Sequence, residues 1–406
     1  MNKKNTKRTF SQAKPKSSSA FSLPEKPLVS LGTVELEIEK LTFSGDGLSR
    51  KDGLVYFVPF TAAGDVISAQ IFEKKKNFAR AEVLEVLRPS ATRTKPLCPV
   101  YGKCGGCNWQ HLSYEEQLSQ KQNILQEQLA GVVDKSLIGP LIPSPKPFRY
   151  RNRIQLKFDG KSLGFFARQS HQVINIEDCP ITEEALTQTL PALKDKLLTD
   201  GKAIPKIEVF RTPENQVITK FEDSPFEGVG FSQVNSDQNE KLIETVLSWW
   251  KPEDPRKIYD LYSGSGNFTF PLLRQFPKSS FVGVDMSSAS IAAGQNLVNA
   301  QNLSPLKMKF YLADVELYLK RQVLDENALV LIDPPRAGCT PGVVQALAQQ
   351  KLKSILYISC NPSALARDLK AFVASGKWKI GRIQAFDMFP QTDHVETLVE
   401  LLPLAI

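Results

Sequence analysis

Ile355-Leu356-Tyr357-Ile358-Ser359-Cys360-Asn361-Pro362 is an apolar run that ends on a cysteine, an asparagine and a proline. Four consecutive large apolar residues read as a strand buried on both faces. Beyond Pro362, Leu365, Leu369 and Phe372 recur at helical spacing. Asn361 suits the N-cap and Pro362 the first helical position. The same strand-then-helix pattern occurs upstream at 258–262, 281–285, 309–313 and 329–333, and 394–401 reads as one more strand. Together they predict a doubly wound, Rossmann-like parallel sheet over residues 236–406. Such sheets bind ligands outside the carboxyl ends of their strands, where Cys360 falls. A thiol beside a helix N-terminus is favoured as thiolate. Cys360 is therefore expected to be a nucleophile rather than an inert packed cysteine.

The first of these strands runs into Asp260-Leu261-Tyr262-Ser263-Gly264-Ser265-Gly266-Asn267-Phe268. Gly264 and Gly266 let the backbone pass close to a ligand where a helix opens. Asp285, at the end of the second strand, can grip a ribose diol, and Asp314, after the third, an adenine amino group. No phosphate-loop lysine follows the glycines, and Thr269 stands where a dinucleotide fingerprint would place its third glycine. A ligand with a diol and an adenine but no phosphates fits, so S-adenosylmethionine (SAM) is the expected cofactor. Asp333-Pro334-Pro335-Arg336 fixes a loop over the site. Methylating an amino nitrogen needs no thiol, but C5 of a pyrimidine does. A thiolate adds to C6, C5 becomes nucleophilic, and a base then removes the C5 proton. Glu396 is the candidate base, and His394, two residues earlier, is its rival.

Composition sets the frame. A chain of 406 residues exceeds one core, so two or three domains are expected. No apolar stretch approaches a membrane span, and the N-terminus lacks the apolar core of a secretory signal. A cytoplasmic protein without membrane contact is expected. A net charge of +8 points to a polyanionic partner. Residues 1–27 read as a disordered basic tail. Residues 28–89 hold four or five short alternating strands, the pattern of a small OB-type β-barrel. Its segment 74–80 is basic and carries Phe78, a mix suited to RNA backbone and a stacked base. Residues 90–235 form a central α+β domain. There Arg149, Arg151 and Arg153 alternate, so on a strand they would share one face. RNA phosphate is the expected counter-anion; a cluster of structural carboxylates is the alternative.

Cys98, Cys104 and Cys107 are spaced C-x5-C-x2-C, and Cys179 follows before a proline. Four thiolates can hold zinc or an iron–sulfur cluster, and the spacing alone decides neither. The Cys-Pro pair and the 3+1 arrangement favour a structural [4Fe–4S] cluster. Cys339 reads as an ordinary packed cysteine.

Residues 28–406 resemble the RNA uracil-5 methyltransferase family, 23S ribosomal type, with an N-terminal TRAM domain. The resemblance rests on Phe231-Ser232-Gln233-Val234-Asn235, 260–268, 333–336, 359–362 and the segment ending at Glu396. It implies that Cys360 is the nucleophile and Glu396 the base. It implies that Gln233, Tyr262, Gly264, Asn267, Asp285, Asp314 and Asp333 surround SAM or the target base, and that the cysteines hold [4Fe–4S]. Departures are small: Tyr262 and Ser263 stand where relatives often have Phe and Cys, and Asp285 where some have Glu. The expectation is a monomeric enzyme making 5-methyluridine in 23S rRNA. The alternatives are a tRNA uracil-5 methyltransferase and an RNA-binding protein with a decayed methyltransferase fold.

Overall fold

The structure is a computed structural model that describes residues 30–212, 214–222, 233–250, 257–304 and 306–404. The expected basic tail lies outside the described residues, as do Phe231 and Ser232.

Six strands form the first sheet: β1 (Thr33–Glu37), β2 (Lys40–Leu41), β3 (Gly47–Lys51), β4 (Leu54–Val58), β5 (Val66–Lys74) and β6 (Phe78–Arg88), in the order β1-β5-β6-β4-β3-β2. Period-two alternation drives it. In β5, Ile67, Ala69 and Ile71 face the core beside Leu36, Tyr56 and Val58. The exit from this sheet is pinned by Asp65, which is fully buried and accepts from Arg93 at 2.7 Å and from the Ser90 amide at 2.9 Å.

The second sheet contains β7 (Arg153–Phe158), β8 (Leu163–Phe166), β9 (Val173–Asn175), β10 (Ile204–Arg211) and β11 (Val217–Phe221), all antiparallel, in the order β11-β10-β7-β8-β9. Ile154, Leu156 and Phe158 pack against Leu186, Leu190, Leu193 and Leu197 of two short helices. The arginine face expected here is only partly present. β7 begins at Arg153, so Arg149 lies off the strand, at φ +55°. Its guanidinium makes a two-pronged pair with Asp178 at 2.7 Å. For Arg149 the structural carboxylate won.

The third sheet contains β12 (Lys257–Leu261), β13 (Ser280–Asp285), β14 (Met308–Leu312), β15 (Leu329–Ile332), β16 (Ser354–Ser359), β17 (Trp378–Phe386) and β18 (Glu396–Pro403). Their order is β14-β13-β12-β15-β16-β18-β17; the first five are parallel, and β18 is antiparallel to both neighbours. Alternation feeds two cores, with Tyr259 and Leu261 on one face and Ile258 on the other. The expected doubly wound sheet is present, but the sequence pattern missed β17. Lys379, Arg382 and Gln384 break its apolar run, and a register shift falls between Ile380 and Arg382.

The expectation of an iron–sulfur centre in the central domain is corrected. Among the described residues, no group of three or more His, Cys, Asp or Glu side chains is placed to hold a metal ion. Cys98, Cys104, Cys107 and Cys179 do line one cavity, but its walls include Val100, Phe165 and Ile176. Burial pushes the Cys98 and Cys104 thiols up and that of Cys107 to about 12. The leucine-rich interface described above supplies the domain's core.

Candidate active site

The order of the third sheet reverses between β12 and β15, so the ligand crevice opens outside their carboxyl ends. The turn after β12 is tight. Tyr262, Gly264 and Gly266 have φ of +66°, +55° and +99°. A β-carbon on Gly266 would lie 2.7 Å from the Phe270 ring. The Gly264 amide donates to Asp285 at 2.9 Å and the Ser287 amide donates to the other oxygen at 2.7 Å. Asp285 thus joins the ends of β12 and β13 and keeps lone pairs for a ligand.

Other expected cofactor residues are distributed unevenly. Asp314 caps helix Val315–Arg321, accepting from the Leu317 amide at 3.0 Å. Asn267 exchanges two hydrogen bonds with Asn239 at 2.9 and 3.0 Å. The Tyr262 ring packs on one core beside Cys339. The Gln233 carbonyl accepts from Asn152 at 3.0 Å, two residues before Asn235 caps helix Ser236–Trp249.

Cys360 follows β16 directly. Asn361 caps helix Pro362–Ala374, accepting from the amides of Ser363 and Ala364 at 3.1 and 3.3 Å. Its side-chain amide also donates to the Arg336 carbonyl at 2.9 Å, tying the loops after β15 and β16 together. In the antiparallel register Ser359 pairs with Thr397, so Cys360 stands opposite Glu396. Glu396 is 3 % exposed and opens β18, with Phe386 of β17 on its other side. His394 precedes that strand; its Nε2 meets Arg336 at 2.8 Å, and burial lowers its imidazolium stability.

Burial dominates the electrostatics. Asp260, absent from the expected ligand set, sits inside β12 and accepts from the Thr269 hydroxyl. Burial and the Asp285 charge push it up to about 7, and its Oδ1 is buried with no hydrogen-bond partner. Asp333 is also pushed to about 7, by burial and then by Asp260 and Asp285. Burial and Asp333 push Glu396 well up, against the pull of Arg336. Burial, then Glu396, push the Cys360 thiol to about 11; Arg336 again opposes. The cap is as expected, but Cys360 is a thiol rather than a thiolate in the free protein. The desolvation of a half-buried sulfur outweighs the helix terminus. The sequence signal for Asp260 was present: an acidic residue inside an apolar strand.

An open α/β sheet with a glycine turn after its first strand, an acid after its second and a thiol–carboxylate pair at its carboxyl edge defines a group-transfer enzyme of the Rossmann-like methyltransferase class. The tRNA (Uracil-5-)-methyltransferase family matches residues 215–403 and the TRAM domain residues 32–84. An uncharacterized RNA methyltransferase of Bdellovibrio bacteriovorus is 41% identical over 379 residues, 91% of this chain and 94% of that protein. The 23S rRNA (uracil(1939)-C(5))-methyltransferase RlmD of Shewanella halifaxensis is 30% identical, covering 96% of this chain and 98% of that protein. The Pyrococcus abyssi tRNA (uracil-54, C5)-methyltransferase, solved with S-adenosyl-L-homocysteine, superposes with a TM-score of 0.69. It is 25% identical, and the match covers 91% of this chain and all of that one. The chain belongs to the RNA uracil-5 methyltransferase family, and it is a methyltransferase whose substrate is RNA. No helix among the described residues is long and apolar enough to cross a membrane.

Proposed function

We propose that this enzyme methylates C5 of a uridine in 23S rRNA, with SAM as donor, Cys360 as nucleophile and Glu396 as base. The observation that carries the reading is the β16–β18 register, which sets Cys360 opposite Glu396 at the carboxyl edge of the sheet. SAM supplies a methyl group on a sulfonium. Asp260, Asp285 and Asp333 suit such a cation, because each raises a neighbour's carboxyl and a positive charge among them would relieve that repulsion. Gly264 and Gly266 open the turn to it.

The chemistry needs Cys360 as a thiolate and Glu396 as a carboxylate. Cys360 gives its proton to solvent and the thiolate sulfur bonds to C6; the C5–C6 π pair moves toward the C4 carbonyl oxygen as an enolate, which makes C5 nucleophilic. C5 takes the methyl, and S-adenosylhomocysteine leaves. Glu396, ionised, removes the C5 proton; the C5–C6 double bond re-forms and the Cys360–C6 bond breaks. Arg336 lowers both groups toward their charged forms. His394 is neutral and bound to Arg336, outside the strand that carries Glu396, so it holds the guanidinium rather than the base's place.

Domain roles follow: residues 28–89 as the RNA-binding TRAM barrel, 90–235 as the central domain and 236–406 as the catalytic domain. The relatives near 30% identity that are named for 23S rRNA support ribosomal RNA; the Pyrococcus likeness keeps tRNA as the second reading. Incubation with labelled SAM and unmodified 23S rRNA or tRNA decides. Label in 5-methyluridine of 23S rRNA is expected, and label in tRNA alone would overturn the ribosomal assignment.

A further inference from the structure

A polar cavity of about 380 Å3 lies beside the catalytic pocket, large enough for a small organic ligand. All three sheets contribute to it. Phe60 comes from the turn after β4, Arg151 and Arg168 from the central region, and Arg336, Phe389 and His394 from the catalytic loops. Asp46 and Asp393 also line it. Asp46 is held by Arg168 at 3.3 Å and Arg80 at 3.9 Å, and Asp393 accepts from Asn108 at 2.8 Å. Arg168 is thus engaged by Asp46 and Arg336 by His394 at 2.8 Å, while Asp393 has its own partner, and Arg151 completes the cationic wall. Arg151 Nε is buried with no hydrogen-bond partner among the described residues.

Phe60 is the unusual residue here. It has φ +60°, a left-handed conformation that costs free energy for any side chain but glycine. Its carbonyl accepts from Arg93 at 2.9 Å, which fixes the turn. Its ring is only half-buried and stands outside the apolar core of the first sheet. It meets the Tyr101 ring edge-on at 5.4 Å, and the Arg168 guanidinium lies 5.2 Å from its centre. Strain kept at an aromatic that packs into no core points to a ligand. A ring under a guanidinium, next to two more, suits a base joined to phosphate. The cavity reaches the catalytic pocket at Arg336, whose carbonyl is tied to the Asn361 cap beside Cys360. An occupant can therefore be continuous with a uridine held at Cys360.

We infer that this cavity is a second nucleotide site, in which the base of a nucleotide flanking the target uridine stacks on the Phe60–Arg168 pair while Arg151 and Arg336 face its phosphates. The inference rests on the reading of the enzyme as a uridine methyltransferase and names how its substrate is gripped outside the reacting base.

The test uses the full-length protein and a synthetic single-stranded RNA spanning uridine 1939 of 23S rRNA. Phe60→Leu keeps the backbone strain and most of the volume but removes the ring. Its affinity for the RNA should fall about 5- to 150-fold, the worth of one stacked base, and Phe60→Trp should restore it. Unchanged SAM affinity shows that the variant is folded. A scan of single abasic positions beside the uridine should find one that weakens wild-type binding by the same factor and does not weaken Phe60→Leu further. Wild-type affinity in Phe60→Leu, or abasic losses that simply add to it, would overturn the inference. RNA that binds the wild type but is not methylated would sink the ribosomal reading instead, because the Phe60 comparison reads affinity alone.

Discussion

Lys121→Met should destabilise this protein more than any surface change, because Lys121 and Asp387 form an ion pair with no side-chain exposure on either partner. Lys121 Nζ donates to Asp387 at 2.6 Å and to the Phe389 carbonyl at 3.0 Å; the Tyr114 hydroxyl donates to the other Asp387 oxygen at 2.8 Å. Helix Tyr114–Leu129 thereby grips the segment between β17 and β18, which ends on Glu396. The same segment accepts from Tyr150 at 3.0 Å through the Pro390 carbonyl and from Asn235 at 3.2 Å through that of Met388. Removing the lysine leaves a buried carboxylate with one hydroxyl partner and the Phe389 carbonyl with only the Thr392 hydroxyl, at 2.8 Å. Losing one member of a buried pair costs about 3–5 kcal/mol. At about 2–4 °C per kcal/mol for a domain of this size, the catalytic-domain transition should fall by roughly 6–20 °C. Circular dichroism during heating and urea titration both read this. Adding Asp387→Asn removes the stranded charge yet keeps an acceptor for Tyr114, so the double variant should recover more than half of the loss. A single variant within about 1 kcal/mol of wild type, or a double variant no better than the single, would refute the reasoning.

Asp285→Ala removes the acceptor that joins the Gly264 and Ser287 amides; S-adenosylhomocysteine should bind about 10- to 100-fold more weakly by calorimetry. The Cys360 thiol titrates near 11 instead of 9.0, so below pH 9 its thiolate is about a hundred-fold scarcer than that of a free cysteine. Iodoacetamide labelling of the Cys360 peptide, followed by mass spectrometry, should stay slow at pH 8 and keep rising toward pH 11. Glu396→Gln removes one of the charges that raise the thiol and should speed labelling; a plateau below pH 8 in the wild type would contradict the burial argument.

What was legible in the sequence was local. The strand ending at Ser359, the Asn361 cap, the Pro362 start and the glycine turn after β12 each depend on neighbours a few residues away. What was not legible depends on partners far along the chain. Arg149 alternates with Arg151 and Arg153, but Asp178 captures it and the strand starts later. β17 carries charges because Arg382 meets Glu400 at 2.8 Å across the hairpin. The cysteine spacing suggested a metal site, yet the fold sets those thiols in a cavity walled partly by apolar side chains, and no group placed to hold a metal forms among the described residues. Cys360 shows both sides: its position was readable, its protonation state was not, because the latter is set by burial and by Glu396 from another strand.

The central claim is a bond between Cys360 and C6 of the target uridine that Glu396 allows to break. Glu396→Gln is to be incubated with SAM and the synthetic RNA spanning uridine 1939, then resolved under denaturing conditions and weighed by intact mass. The account predicts a species equal to protein plus RNA plus one methyl group, absent when Cys360→Ala is added. Steady release of 5-methyluridine by Glu396→Gln without that species, or methylation by Cys360→Ala at the wild-type rate, would contradict it.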